Sequence, residues 1–221
     1  MVYPQRENGL RIWRKRQQHK PLKRLVYLIS PNKIDKNFYY NLERTLSFKN
    51  VKFFQLRLKK IKSKEYVRIA NKIIKITNKH KVKFIVNDYL NLACKIKADG
   101  CHLGQKDKSV IIARKKLKKK ILGITCHNSK SLVKHAIKNK ADYIALGSFF
   151  KSKLKPNAKK ANIKVLKWAK KNIKKPIVVI GGINNVNYKR LIKAGAKYIA
   201  ISSFIWDNPE LKPETAIRKF K

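Results

Sequence analysis

Acidic residues are scarce in this chain of 221: 11 Asp and Glu stand against 57 Lys and Arg, a formal net charge of +46. A surface of that sign draws nucleic acid, anionic membranes or polyanionic ligands. Cysteine is also sparse. Cys94, Cys101 and Cys126 are odd in number and include no close pair, which argues against a disulfide framework or a zinc site and fits a reducing cytoplasm. No apolar run approaches the length needed to cross a bilayer, and the N-terminus lacks the apolar stretch of a secretory signal. A soluble, cytoplasmic protein with no membrane partner is therefore expected.

The placement of the positive charge narrows its meaning. Lysines cluster in segments such as Arg114 to Lys120 and Lys164 to Lys171, in the positions between apolar residues. Solvated outer faces of helices have this pattern. Lys greatly outnumbers Arg, whereas bidentate recognition of phosphate or guanine favours Arg. The charge is read as a lysine-biased surface and not as a dedicated nucleic-acid site.

Residues 1–23 form a basic, polar arm with Leu10 and Trp13 as its main apolar members, either a short helix or disordered. Glu7 and the scarcity of Ser and Thr argue against an organelle-targeting segment. The remainder, 24–221, is expected to be one domain. Short apolar runs recur at Leu25 to Ser30, Val51 to Leu56, Val82 to Val86, Gly100 to Leu103, Ile121 to Ile124, Tyr143 to Leu146, Ile177 to Ile180 and Tyr198 to Ser202. Helical patterns separate them. Strands alternating with helices imply parallel pairing, and eight units in about 200 residues fit a closed (β/α)8 TIM barrel, an α/β fold. An open doubly wound sheet is the competing architecture.

Barrel sites form at the C-terminal ends of the strands, which gathers the candidate residues on one rim. Phe53 to Lys59 reads as a strand whose alternation points Gln55, Arg57 and Lys59 the same way, a grip for an anion in a chain short of acidic partners. Asp88 and Asp107 hang beyond the ends of two short strands. Paired carboxylates can hold magnesium, which needs only one or two of them besides water and substrate phosphate oxygens. Helix capping is the competing reading, since Asp is a preferred N-cap and helices are expected to begin near Leu90 and Ser109. In the loop Gly147 to Pro156, lysines stand at 151, 153 and 155, and spacing alone does not choose among them. Gly181-Gly182 and Ser202-Ser203 follow the seventh and eighth strands, where barrels often bind phosphate. His102 is read as a hydrogen-bonded structural residue; His127 is left open.

Taken in order, Gln55 to Lys59, Asn87-Asp88, Ala98 to Asp107, Gly147 to Lys155 and Gly181-Gly182-Ile183 resemble the thiamine phosphate synthase family from about Tyr27 to Trp206. The resemblance implies a TIM barrel that joins hydroxymethylpyrimidine diphosphate to a thiazole phosphate, releasing pyrophosphate with magnesium as cofactor. It assigns the pyrimidine diphosphate to Gln55, Arg57, Lys59, Asn87 and Lys155, with Arg57, Lys59 and Lys155 stabilising the leaving group, and magnesium to Asp88 and Asp107. Thr125 matches the family's serine after the fifth strand. Thiazole phosphate falls to Ser152, Gly182, Ser202 and Ser203. Leu58 and Leu154 depart from the family pattern, replacing an acidic residue and a threonine. The same superfamily contains a thiazole tautomerase, for which His127 would be the proton-transfer candidate, but both aspartates and the Gln-x-Arg-x-Lys grip favour the synthase. A basic nucleic-acid-binding barrel is the third reading. Homo-oligomerisation fits such barrels, and no patch in the sequence argues for it.

Overall fold

The computed structural model describes residues 25–59, 61–151 and 160–221. Eight parallel strands close into a barrel in chain order: β1 Val26–Ile29, β2 Val51–Leu56, β3 Lys83–Asn87, β4 Gly100–Leu103, β5 Ile121–His127, β6 Tyr143–Gly147, β7 Ile177–Ile180 and β8 Tyr198–Ile201. β8 pairs back onto β1, with Ile199 opposite Val26 and Ala200 opposite Tyr27, which excludes the open sheet. Among the described residues one helix fills each crossover: α1 Phe38–Leu46, α2 Ser63–Lys79, α3 Leu90–Lys95, α4 Val110–Leu117, α5 Lys130–Lys138, α6 Ile163–Asn172 and α7 Tyr188–Lys193. The short helices α8 Ser203–Trp206 and α9 Pro213–Ile217 follow β8. The proposed arm lies outside the described residues, as do Ser152, Leu154 and Lys155.

Helix formation follows the expected periodicity. In α2 the buried residues are Tyr66, Ile69, Ala70, Ile73, Ile74 and Thr77, a stripe at i, i+3, i+4 and i+7, while Lys72, Lys75 and Lys79 face solvent. The lysine-rich face is thus the outer face of a core-packed helix. Ser109 and Ser129 cap α4 and α5 by accepting from Ile112 and Leu132 backbone N–H groups, which satisfies donors that a helix start leaves open.

Strand alternation sorts the apolar residues into two cores. Outward positions such as Leu28, Phe54, Leu56, Phe84 and Val86 pack beneath the helices. Inward positions Tyr27, Ile29, Phe53, Ile85, Tyr143, Ala145, Val178, Tyr198 and Ala200 fill the barrel. Gly123 sits on β5 where a Cβ would collide with the Tyr143 ring, so its bare backbone makes room for that large inward side chain.

Two of the few acidic residues lock the opposite, N-terminal end of the barrel. Asp99 precedes β4 and accepts from the Phe84 N–H at 2.8 Å and from Lys83 Nζ at 2.7 Å. Asp142 precedes β6 and repeats the device on Leu122 N–H at 2.8 Å and Arg114 Nη2 at 2.6 Å. Each ties the start of one strand to its neighbour.

Two strand ends differ from expectation. β5 continues to His127, with a register shift between Thr125 and His127 where His127 adopts φ 49°. β2 stops at Leu56, so Arg57 and Lys59 stand on the rim loop and not within the strand.

Phe54 is fully buried between β2 and the helices, with its ring 6.3 Å from that of Phe38. Phe54→Ala should cost about 3–5 kcal/mol, read from urea unfolding monitored by circular dichroism; a loss under about 1 kcal/mol would show that this layer repacks freely.

Candidate active site

The rim at the C-terminal ends of β2 to β5 carries the charged candidates. Asp88 follows β3 directly, in the left-handed region at φ 64°, where Asp is tolerated better than most side chains. Its N–H donates to the carbonyl of His102 at 2.9 Å, which fixes the turn to β4. Asp107 lies in the β4–α4 loop, and its Oδ2 accepts from the Gly104 N–H at 2.6 Å. Neither residue caps a helix: Tyr89 occupies the N-cap of α3 without a side-chain bond, and Ser109 caps α4. The competing capping reading is thereby excluded.

The two carboxyl groups face each other. Burial pushes the Asp88 carboxyl up from 3.8 to about 6, a hydrogen bond and like-charge repulsion from Asp107 add to the rise, and Arg57 and Asn87 oppose it. Two acidic groups in contact and partly withdrawn from water hold a proton or invite a cation. Among the described residues no cluster of three His, Cys, Asp or Glu side chains surrounds such a point. A cation here has two protein carboxylates and must complete its shell with water or ligand oxygens, which suits magnesium.

The proposed anion grip is divided between floor and rim. Gln55 is buried and turned into the barrel, its Nε2 donating to the Tyr27 hydroxyl at 3.0 Å. Arg57 is half-buried, its backbone N–H donating to Ser30 Oγ at 2.9 Å. Leu58 is buried in the outer core, and Lys59 is exposed. An apolar residue at 58 therefore packs beneath the rim. Asn87 is buried at the end of β3, within hydrogen-bonding reach of Asp88.

The second phosphate candidates line β7 and β8. Gly181 and Gly182 have φ of 105° and 57°. A Cβ on Gly182 would strike Lys151 O and Phe150, and the Phe150 N–H donates to Gly181 O at 3.0 Å. Bare backbone here lets the loops after β6 and β7 touch. Ser202 Oγ donates to Ser30 O at 3.1 Å, so Ser30 adjoins both the Arg57 and the Ser202 side of the rim. Ser203 opens α8.

Sequence reasoning missed two residues of the floor, Tyr27 and Tyr143. Their hydroxyls are 2.7 Å apart, and Tyr143 also bonds His102 Nδ1 at 2.9 Å, while His102 Nε2 reaches Thr125 Oγ1 at 2.8 Å. His102 is thus hydrogen-bonded, as expected, and stacks on the Tyr143 ring at 5.6 Å. Burial drives both phenols far above the ordinary tyrosine range, so each keeps its proton. The available signal was inward parity: Tyr27 and Tyr143 are polar-tipped residues at core positions, whose hydroxyls must find partners.

The chain is similar to known proteins over most of its length. A model of the family described as thiamine monophosphate synthase matches residues 26–205. The chain is 55% identical over 205 residues, 92% of its length and 99% of the relative's, to the thiamine-phosphate synthase of Pelagibacter ubique (strain HTCC1062). It is 40% identical over 190 residues, 84% and 89% of the two chains, to that of Erythrobacter litoralis (strain HTCC2594). Among solved structures, thiamine phosphate pyrophosphorylase from Pyrococcus furiosus superposes with a TM-score of 0.79 at 26% identity, covering 90% of this chain and 93% of that one. With the family match extending from β1 into α8 and so taking in every strand of the barrel, this chain belongs to the thiamine monophosphate synthase family.

Proposed function

We propose that this chain joins hydroxymethylpyrimidine diphosphate to a thiazole phosphate at the rim, forming thiamine phosphate and pyrophosphate. The observation that carries this reading is the Asp88–Asp107 carboxyl pair beside Arg57. Two facing carboxyl groups support a cation seat, and a guanidinium next to them supports stabilisation of a departing diphosphate. Neither the tautomerase nor a nucleic-acid-binding barrel is favoured, since the family model and the relatives compared above carry the synthase name.

The residues divide the work as follows. Asp88 and Asp107 would hold Mg2+, which when bound neutralises charge on the diphosphate oxygens. Arg57 and Lys59 supply further positive charge at the same rim. Lys155, outside the described residues, completes the set in this proposal. Charge grows on pyrophosphate as the bond to the pyrimidine methylene breaks, and preorganised donors aimed at that charge usually form the largest catalytic contribution. Gln55, Asn87 and Thr125 orient the pyrimidine half. Gly182, Ser202 and Ser203, with Ser152 outside the described residues, seat the thiazole phosphate so that its ring nitrogen attacks the resulting cation. No strong general base is needed, consistent with tyrosines locked in the neutral form. Among the described residues no helix is long and apolar enough to cross a membrane, and a cytoplasmic enzyme on small phosphorylated substrates is part of this proposal.

Two outcomes test it. Purified protein given both phosphorylated rings should release pyrophosphate and thiamine phosphate only with magnesium, and Asp88→Ala or Arg57→Ala should lower turnover at least about 10²-fold while circular dichroism stays unchanged. Full activity in either variant removes that residue from the mechanism.

The second outcome concerns the metal-free protein. With its pKa raised to about 6 from 3.8, Asp88 binds more proton in the folded than in the unfolded state, so its contribution to stability falls as pH rises across that window. Asp107→Asn, which removes the facing charge, should flatten this decline in thermal melts between those pH values. Magnesium should raise the melting temperature of the wild type near neutral pH more than that of the variant. Identical pH profiles for both proteins would show that the carboxyl groups do not interact.

A further inference from the structure

Five polar side chains from five strands form one line through the barrel: Gln55 on β2, Tyr27 on β1, Tyr143 on β6, His102 on β4 and Thr125 on β5. Gln55, Tyr27, Tyr143 and His102 are buried; Thr125, half-buried, stands at the rim end. The amide nitrogen of Gln55 faces Tyr27 and donates to its oxygen at 3.0 Å. Among the described residues the remaining partner of the Tyr27 hydroxyl is Tyr143, 2.7 Å away. If Tyr143 donated to Tyr27, the Tyr27 proton would be left buried with no acceptor there, at the full desolvation cost of an unmade bond. Tyr27 therefore donates to Tyr143. Tyr143 must then give its own proton to His102 Nδ1, and a neutral imidazole that accepts at Nδ1 carries hydrogen on Nε2. That hydrogen points at Thr125 Oγ1, 2.8 Å away.

We infer that Tyr143 and His102 are positioning residues: their one-way chain of donors fixes the direction of the Thr125 hydroxyl, so that the group already assigned to the pyrimidine diphosphate can meet it only as a donor. The inference rests on the proposed synthase reaction. With its oxygen already accepting from His102, Thr125 turns its hydrogen outward, and the atom seated against it must be an acceptor: an unprotonated ring nitrogen or a diphosphate oxygen. Bonds aligned in one sense polarise one another, so a break far from the rim weakens the final donor. The backbone cannot swing to compensate, because Gln105 Nε2 donates to the Thr125 carbonyl and the strand pairing of β5 with β6 holds Thr125 opposite Ala145.

The tautomer is read on protein alone, by 15N NMR of histidine-labelled enzyme. The expected spectrum shows His102 with hydrogen on Nε2 and a bare Nδ1. Hydrogen on Nδ1 would mean the chain runs the other way, with Thr125 as its first donor, and would overturn the inference whether or not thiamine phosphate is made. In kinetics, Tyr143→Phe keeps the ring but cuts the line. It should lower kcat about 10-fold while leaving the KM for thiazole phosphate unchanged, and should remove the Nε2–H preference from the spectrum. Tyr27→Phe, cut one link earlier, should show the same split. His102→Gln, whose amide N–H can stand in for Nε2–H, should retain more activity than His102→Ala. Wild-type kcat in both tyrosine variants, or no difference between the two His102 variants, would show that the chain only fills the barrel. A wild-type enzyme with the expected tautomer but no product under any condition would fail the synthase reading instead, and with it the role given to Thr125.

Discussion

The volume of a closed eight-stranded barrel is the constraint from which most of this structure follows. Inward positions must fill a narrow lumen without overfilling it, and this chain does so with large aromatics set against very small residues. Tyr27, Phe53, Tyr143 and Tyr198 occupy the lumen with Ala145, Ala200 and the bare backbone of Gly123. The rings contact at 5.2 Å for Tyr27 with Phe53 and again for Phe53 with Tyr198, the latter edge to face. Filling with tyrosine brings a polar obligation, because a buried hydroxyl needs a partner. That obligation is met by Gln55, His102 and Thr125, so the polar groups reaching the rim are anchored in the packing of the floor. In the proposed reaction, stability and substrate orientation would draw on the same side chains.

A second constraint is the shortage of carboxylates. With 11 in the chain, each placement is informative. Asp99 and Asp142 serve the N-terminal end, where each satisfies a strand N–H and pairs with a cation. Both follow an alanine and precede a strand, a repeat visible as Ala98-Asp99-Gly100 and Ala141-Asp142-Tyr143. Asp88 and Asp107 serve the other end and face each other; burial first and the facing carboxyl second raise the Asp88 pKa, against the opposing charge of Arg57. In the proposed reaction these two facing carboxyl groups are the seat of the cation.

The fold was legible because its signal is periodic. Eight apolar runs separated by helical stripes give one architecture, and all eight strands form within a few residues of where the runs stand. The rim was legible where polar residues end an apolar run, as at Asn87-Asp88 and Gly181-Gly182. The strand boundaries were less so. Alternation through Gln55, Arg57 and Lys59 continues past Leu56, although the neighbouring strands no longer offer a full ladder, and Leu58 still packs into the outer core. The break in β5 after Thr125 has no mark in composition, since a register shift depends on the neighbouring strand. Tyr27 and Tyr143 escaped because a tyrosine in an apolar run reads as core. Only its partner, 116 positions away, makes it part of a polar chain, and sequence separation of that size carries no local signal.

The remaining charge acts at longer range. Exposed lysines carry their ammonium groups into solvent on flexible stems, where salt screens their mutual repulsion beyond about 8–10 Å. A net charge of +46 is therefore compatible with the fold, whose described helices carry exposed lysines on faces opposite their packed side. Within the screening length the field still favours anions, and a cleft raises that effect by focusing it. Both proposed substrates are phosphorylated, so the surface would raise their local concentration without recognising either. In the proposed reaction, recognition rests on a few groups of the rim: the guanidinium of Arg57, the facing carboxyl pair, and the hydroxyl of Thr125 held from below. A lysine surface and a small ordered rim are complementary, because the first supplies attraction without geometry and the second supplies geometry where that attraction is already present.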